Sequence, residues 1–169
     1  MRFRILALLL SSVLLSAIAP DTPAAAQSAT GPLTPAKLEK LTAAAFGKLG
    51  HDTYINGTTG QMLGIAKPGE QLKVRTITYM DGSADAEPGT KWQFYWLDGG
   101  RGYMLGMQNA GKTRSEALLL DRQLRTVKGI DVDPATKAYS EMPAAEAVRR
   151  TPIHLKRWSE IAELVPPPK

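Results

Sequence analysis

The sequence of 169 residues contains no cysteine and only two histidines. Without cysteine the chain cannot form disulfides, thiolate nucleophiles or cysteine-ligated metal sites, so its stability has to come from packing. A zinc site would need His51 and His154 to meet beside a carboxylate such as Asp52, and two histidines so far apart in sequence carry no metal signal. We therefore predict no metal centre and no cofactor.

The net charge and the lengths of the apolar runs indicate which kinds of partner to expect. The formal net charge is +5, and because the basic residues are dispersed along the chain we expect no nucleic-acid partner. Beyond the start of the chain, no apolar run approaches the roughly 20 residues that a membrane-spanning helix needs. The mature chain is therefore expected to have no membrane span, and the sequence makes no prediction of oligomeric state.

The start of the chain has the composition of a secretory signal peptide. Residues 1–4 contain two arginines, and residues 5–18 are apolar apart from three serines. Residues 24–26 are alanines that precede Gln27, which is typical of a cleavage site. An apolar run of about fourteen residues is short for a membrane span. We predict cleavage before Gln27 and export to the periplasm or the exterior, with an uncleaved anchor as the alternative.

The chain after the signal peptide (residues 1–26) is predicted to form one domain. A flexible leader covers 27–33, a single α+β domain covers 34–165, and a short proline-rich tail covers 166–169. Roughly 140 residues suffice for one hydrophobic core.

Helix signals mark the beginning of this domain. Thr34 can cap the first free amides with its hydroxyl, and Pro35 suits the first helical position because its missing N–H needs no partner. Apolar side chains at helical spacing extend the prediction over residues 35–49. They are Leu38, Leu41, Ala45 and Leu49.

A second helix is predicted at the end of the domain. Thr151-Pro152 repeats the start signal, and an apolar stripe extends it over about 152–164, where the following prolines end it. This assignment places His154 in the first helical turn, exposed to solvent, and Arg157 outside the stripe. The stripe consists of Trp158, Ile161, Ala162 and Val165.

Segments of β-branched and aromatic residues, separated by turn residues, fill the middle of the chain. The predicted strands are 52–56, 61–66, 71–80, 92–97, 103–107, 116–120, 124–132 and 137–142. Their short connections favour antiparallel neighbours, since parallel strands need long crossovers. The predicted fold is therefore α+β: a meandering antiparallel sheet of six to eight strands, strongly curved or a half-barrel, with one helix at each end.

No catalytic motif stands out. The chain has neither a Gly-x-Ser-x-Gly nucleophile elbow nor a His-Glu-x-x-His pair. Residues 106–113 match the letters of a phosphate-binding loop, but the following segment reads as a strand, whereas such a loop enters a helix. His51-Asp52 leaves a small hydrolase as one alternative, although neighbouring residues on a strand point to opposite faces.

The hairpin over 92–107 supplies the only positive indication of binding. Trp92, Phe94 and Trp96 alternate onto one face, which we interpret as core. The remaining face is also partly apolar, and a sheet apolar on both faces must be covered twice, or hold a ligand, or meet a partner. The predicted ligand-binding residues, for an apolar molecule or an envelope protein, are Tyr95, Leu97, Tyr103 and Met104.

Residues 129–143 resemble the strand–turn–strand of exported LolA-like proteins. Within this segment, residues 133–143 follow the pattern D-x-x-x-K-x-Y-x-E-M-P, and the likeness is confined to about fifteen residues. It implies a curved antiparallel sheet with helices in its concavity, and the best-known members carry lipoproteins. The resemblance transfers no site residue.

Three functions remain open at this level. The first is a non-enzymatic, exported binding or accessory domain for an apolar ligand or a protein partner. The second is the small hydrolase built on His51 and Asp52. The third is a structural envelope protein whose basic residues, Arg149-Arg150 and Lys156-Arg157, contact an anionic partner.

Overall fold

A computed structural model describes residues 31–97 and 99–165. The predicted signal peptide, most of the predicted leader and the tail lie outside the described residues. Among the helices that the structure describes, none has the length and apolar character needed to cross a bilayer.

The described chain contains seven strands and three helices. In chain order they are α1 (Pro35–Lys48), β1 (His51–Ile55), α2 (Gly57–Met62), β2 (Leu72–Met80), β3 (Lys91–Leu97), β4 (Gly102–Gln108), β5 (Ser115–Leu120), β6 (Thr126–Val132), β7 (Tyr139–Met142) and α3 (Ala144–Glu163). All seven strands pair antiparallel with their neighbours in sequence, in the order β1 to β7. This confirms the predicted α+β meander.

One predicted strand is wrong. The segment 61–66 belongs largely to α2 and its C-terminal turn, not to a partner of β1. Asn56 caps α2 with its side-chain oxygen, which accepts from the Thr58 N–H at 2.8 Å. Such a cap favours a helical turn over a hairpin at this position.

Helix α1 begins as predicted. The Thr34 hydroxyl accepts from the Lys37 N–H at 3.2 Å, and Pro35 occupies the first turn. The buried stripe is rotated from the predicted one, because Thr42 and Phe46 face the sheet while Leu49 is 54% exposed. A threonine hydroxyl is thereby placed in an apolar interface.

Helix α3 begins at Ala144, earlier than the predicted start near residue 152. Pro152 lies inside it, and the carbonyl of Val148 loses its helical partner there. Val148 is exposed, so water can solvate that carbonyl. Two predictions that follow from the later start are wrong. His154 is buried (1% exposed) and not exposed to solvent, and Arg157 is buried and does not lie on the solvent side of the apolar stripe.

The sheet bends strongly. Thr59, in α2 and soon after β1, donates a hydrogen bond to the Tyr139 hydroxyl in β7 at 3.3 Å. In a flat seven-stranded sheet, β1 and β7 would be about 29 Å apart, six spacings of about 4.8 Å. The sheet therefore curls around α2, which confirms the predicted half-barrel form, and β1 and β7 remain its two edges.

Alternation along the strands creates two apolar faces. We call the face toward α2 the inner face and the face toward α1 and α3 the outer face. The inner core contains Ile55, Leu63, Leu72, Val74, Leu97, Met104, Ala117, Leu119 and Ile130. The outer core includes Leu38, Phe46, Ile77, Trp92, Phe94, Tyr103, Leu105, Leu120, Trp158, Ile161 and Val165.

Gly102 is needed where β4 begins. Its φ is +97°, a value that side-chain-bearing residues rarely adopt, and a Cβ there would lie 2.9 Å from the Asp121 Cα and closer still to the Leu120 carbonyl oxygen. Both atoms belong to backbone, which cannot move aside cheaply. The absence of a side chain at this position lets β4 pass the β5–β6 turn.

We expect Gly102→Ala to lower the free energy of unfolding by about 3 kcal/mol or more, because backbone strain and a backbone clash act together. Gly69→Ala is the matched control, since Gly69 also has a positive φ (+78°) but has nothing within 4 Å. It should cost only about 1 kcal/mol. Urea unfolding of both variants checks the difference, and equal losses would contradict the assigned role of the close backbone approach.

Candidate functional site

The structure distributes the predicted ligand-binding residues over both faces of the sheet. Tyr95 pairs with Met104 across β3 and β4, and both belong to the inner face together with Leu97. Tyr103 pairs with Trp96 and belongs to the outer face. The four residues therefore do not line one surface.

The inner-face residues are covered rather than open. Leu97 is 1% exposed and Met104 is 4% exposed, and the residues that follow α2 pack against the same cluster. Burial raises the pKa of the Tyr95 hydroxyl to about 12. The sheet interior is a packed core around these positions.

An open groove lies instead on the outer face, between α1 and strands β2 to β4. Its volume is about 450 Å³. Trp96 is 41% exposed there, whereas Phe46 and Tyr103 are buried and supply aromatic surface at its base. The groove exists because α1 covers only part of the outer face. Its lining residues are Glu39, Thr42, Ala43, Phe46, Arg75, Trp96, Tyr103 and Arg122.

One wall of the groove carries an unpartnered polar atom. Thr42 is 6% exposed, and its hydroxyl has no hydrogen-bond partner in the described structure. Leaving a buried hydroxyl unpaired costs about 1–3 kcal/mol. The hydroxyl oxygen is buried within the wall, so an occupant of the groove could bond to it only if the Thr42 side chain turned toward the groove.

Charged side chains flank the groove in two ion-paired sets. Arg122 Nη2 lies 2.9 Å from Glu39 Oε1, joining the β5–β6 turn to α1. On the other side, Asp52 Oδ2 lies 2.9 Å from Lys73 Nζ, and its Oδ1 lies 3.3 Å from Arg75 Nε. The hydrogen bond from Lys73 lowers the pKa of Asp52, so this carboxylate is ionised at neutral pH.

His51 and Asp52 do not form a catalytic pair. They occupy successive positions of β1, opposite Thr76 and Arg75, so their side chains leave the strand on different faces. Both are exposed, and Asp52 is engaged by Lys73 and Arg75. The hydrolase alternative thus lacks the side-chain contact that it requires.

A polar network ties α3 to the sheet. Glu116, on β5, is buried and pairs with Arg150, which also contacts Asp131 Oδ1 at 3.4 Å and Glu146 Oε1 at 2.6 Å. The side chain of Arg150 is only 21% exposed. Breaking a buried pair by removing one partner is strongly destabilising, so this network holds the helix in place.

His154 lies within the same network. Its ring packs edge-on against Trp92, with centroids 4.8 Å apart, and burial lowers its pKa to about 4. Nδ1 lies 2.9 Å from the Arg150 carbonyl oxygen and Nε2 lies 3.3 Å from Glu116 Oε1. A neutral imidazole has one N–H for these two acceptors, and the shorter contact fits a hydrogen bond from Nδ1.

Arg157 joins α3 to the loop after β2. Its Nε lies 2.7 Å from Asp81 Oδ2, which also accepts from the Trp92 indole N–H at 2.9 Å. Arg157 further contacts Asp85 and Glu160. Arg150 and Arg157 are therefore internal ties, whereas the other two residues of the predicted basic surface, Arg149 and Lys156, are exposed (76% and 59% of their side chains).

Sequence reasoning missed Trp96 and Thr42 as site residues. Trp96 alternates in register with Trp92 and Phe94, so its pattern is that of core. Thr42 lies between the predicted apolar positions of α1. The sequence does indicate that Trp96 lies near the end of β3, where we least expect a helix to cover the strand.

No protein-family model, curated protein or solved structure matches this chain. The site therefore rests on its geometry, and the LolA-like resemblance of residues 129–143 stays a prediction. Those residues do form the predicted hairpin, which comprises β6, the turn after it and β7.

The burial of Tyr95 predicts a loss of stability in alkali. The unfolded chain releases this proton near pH 10, while the folded chain retains it to about pH 12, so the unfolded state is favoured as pH rises between these values. The slope should reach about 1.4 kcal/mol per pH unit. Tyr95→Phe should lessen this dependence in urea unfolding measured across the range and leave a remainder from Tyr103, whose pKa burial also raises. An unchanged slope would show that Tyr95 is accessible to solvent.

Proposed function

We propose that this chain is an exported, non-enzymatic binding domain that holds an apolar ligand, or an apolar segment of an envelope protein, in the groove between α1 and the sheet. One observation carries the proposal: a groove of about 450 Å³ has the exposed Trp96 on one side and polar and charged side chains of α1 and the β5–β6 turn on the other. Concave, mostly apolar sites with a few polar groups are typical of ligand binding.

Export supports the same proposal from the sequence. The composition of residues 1–26 is that of a cleaved signal peptide, and the periplasm is the compartment that we propose. The curved antiparallel sheet agrees with what the LolA-like resemblance implies. The proposed site differs from that implication, since it lies on the outer face beside α1.

The exposed Trp96 is suited to contact with an apolar ligand. An indole ring presents a large apolar surface at low conformational cost and has one N–H donor at its edge. Phe46 and Tyr103 extend the aromatic surface into the groove. A ligand with a flat or chain-like apolar body would cover the exposed part of the Trp96 ring and contact the small areas of Phe46 and Tyr103 that reach the groove.

Native mass spectrometry of protein purified gently from its own periplasm is the direct test. A co-purifying small molecule that is lost in Trp96→Ala would support the groove as its site. A clean, ligand-free chain that also captures no partner protein through Trp96 would overturn the proposal.

Trp96→Ala should also abolish the fluorescence enhancement of N-phenyl-1-naphthylamine, a neutral apolar probe, if the groove binds it. The control is Met80→Ala, which removes another exposed apolar side chain (58% exposed) outside the groove lining. The control should bind the probe like the parent protein. Equal probe binding by all three proteins would place any apolar site elsewhere.

Thr42→Val separates function from stability. Replacing an unpaired, buried hydroxyl by a methyl group should raise the free energy of unfolding by about 1 kcal/mol. If the hydroxyl bonds to the co-purifying ligand, the substitution should also weaken the binding of that ligand by roughly threefold or more.

Thr76→Val is the matched control. Thr76 is 3% exposed, its hydroxyl is likewise unpartnered, and it lies on the inner face. This variant should gain similar stability in urea unfolding and leave ligand binding unchanged. A destabilised Thr42→Val protein, or one with undiminished binding, would remove the Thr42 hydroxyl from the site.

A further inference from the structure

The groove beside α1 continues past Trp96 toward the edge of the sheet. A second depression of about 200 Å³ is lined by Asp52, Lys73, Val74, Arg75 and Trp96. Arg75 and Trp96 line both depressions, so the two adjoin, and we call the pair the trough. Its inner end is aromatic, and its outer end, on β1 and β2, is charged.

The outer end has an excess of positive charge. Among the residues that the structure describes, Asp52 is the one carboxylate that lines it, and this carboxylate is shared between Lys73 and Arg75. The hydrogen bond that Lys73 donates to Asp52 raises the pKa of Lys73. Over the described lining residues, two basic side chains face one carboxylate, a formal charge of +1 at this end of the trough.

Arg75 retains free donors. Only its Nε contacts Asp52, and in the described part of the chain its two terminal nitrogens have no hydrogen-bond partner. A guanidinium presents a planar fork of N–H groups that matches a carboxylate with two parallel hydrogen bonds. The side chain of Arg75 is 51% exposed, so an arriving ligand can reach that fork.

The register of the sheet aligns these features. Arg75 lies directly opposite Trp96 on the paired strands β2 and β3. Side chains at opposed positions of an antiparallel pair project from the same face with Cβ atoms about 5 Å apart. An apolar body lying over the Trp96 ring therefore ends beside the Arg75 fork.

We propose that the occupant of the groove is a small anionic amphiphile whose apolar body covers Trp96 and whose acidic head group binds Arg75. This inference rests on the proposed function and adds the chemical class of the ligand. Charge complementarity carries it: the apolar surface and the unneutralised cation adjoin in one trough. A neutral apolar molecule would use only part of this site.

Decanoate and decanol are matched probes, because they share an apolar chain and differ in the acidic head group. Each is titrated below its micellar concentration, and binding is followed by the indole N–H resonance of Trp96. Decanoate should bind about tenfold more tightly than decanol, since a charge-assisted hydrogen bond is at stake. Arg75→Gln should lower the affinity for decanoate to that for decanol and leave the affinity for decanol unchanged.

Arg101→Gln is the control for nonspecific charge effects. Arg101 is similarly exposed (43% of its side chain) and is paired with Glu70 at 3.8 Å, away from the groove lining. This variant should retain the preference for decanoate. Arg75→Lys should retain only part of it, because a point charge replaces the planar fork.

The possible failures are distinguishable. Equal binding of decanoate and decanol in the parent protein, with Trp96 responding to both, would overturn the anionic class and leave the groove as a binding site. A preference for decanoate that survives Arg75→Gln would also overturn the inference. No response of Trp96 to either probe would overturn both this inference and the proposed function.

Discussion

The arrangement of the outer face depends on the packing of Trp158. Its ring lies 4.7 Å from Phe94 of the sheet and 5.5 Å from Phe46 of α1, measured between centroids, so one side chain joins both helices to the sheet. A buried aromatic of this size contributes roughly 3–5 kcal/mol. Because Phe46 is held in this way, α1 stands at a fixed distance from β3, and its exposed side together with Trp96 bounds the groove.

The ion pairs of α3 orient this helix on the sheet, in addition to the packing of Trp158. Arg150 and Arg157 each join the helix to carboxylates of the sheet or its loops, through Glu116 and through Asp81. Buried ion pairs are weak evidence for stability, since desolvation opposes the attraction, but they penalise any register in which a charge loses its partner. Helix α3 can therefore rest on the sheet in one position, and Trp158 enters the core only in that position.

Much of the fold follows from local chemistry, and the exposure of individual side chains does not. Alternation over β2 and β3, and the cap formed by Thr34, could be read from the sequence because the interactions involved are short-range. Trp92, Phe94 and Trp96 have the same pattern, yet Trp96 alone is exposed, because coverage depends on how far α1 and α3 extend over the sheet. The prediction for His154 fails for a related reason: Thr151-Pro152 predicts a helix start, whereas exposure of Val148 allows the helix to pass through Pro152.

A sheet that is apolar on both faces can still bind a ligand, because its two faces are covered to different extents. The inner face is covered by curvature and α2, and it needs no ligand to complete it. The outer face is covered by two helices that bury Ile77, Trp92 and Phe94 but leave Arg75 and Trp96 exposed at one end of β2 and β3. Burying Thr42 without a partner at the margin of that cover costs stability, whereas an alanine or valine there would not. Thr76 carries the same cost on the closed inner face, so the unpartnered hydroxyl alone does not mark a site. The open groove beside the exposed Trp96 is what distinguishes the outer face.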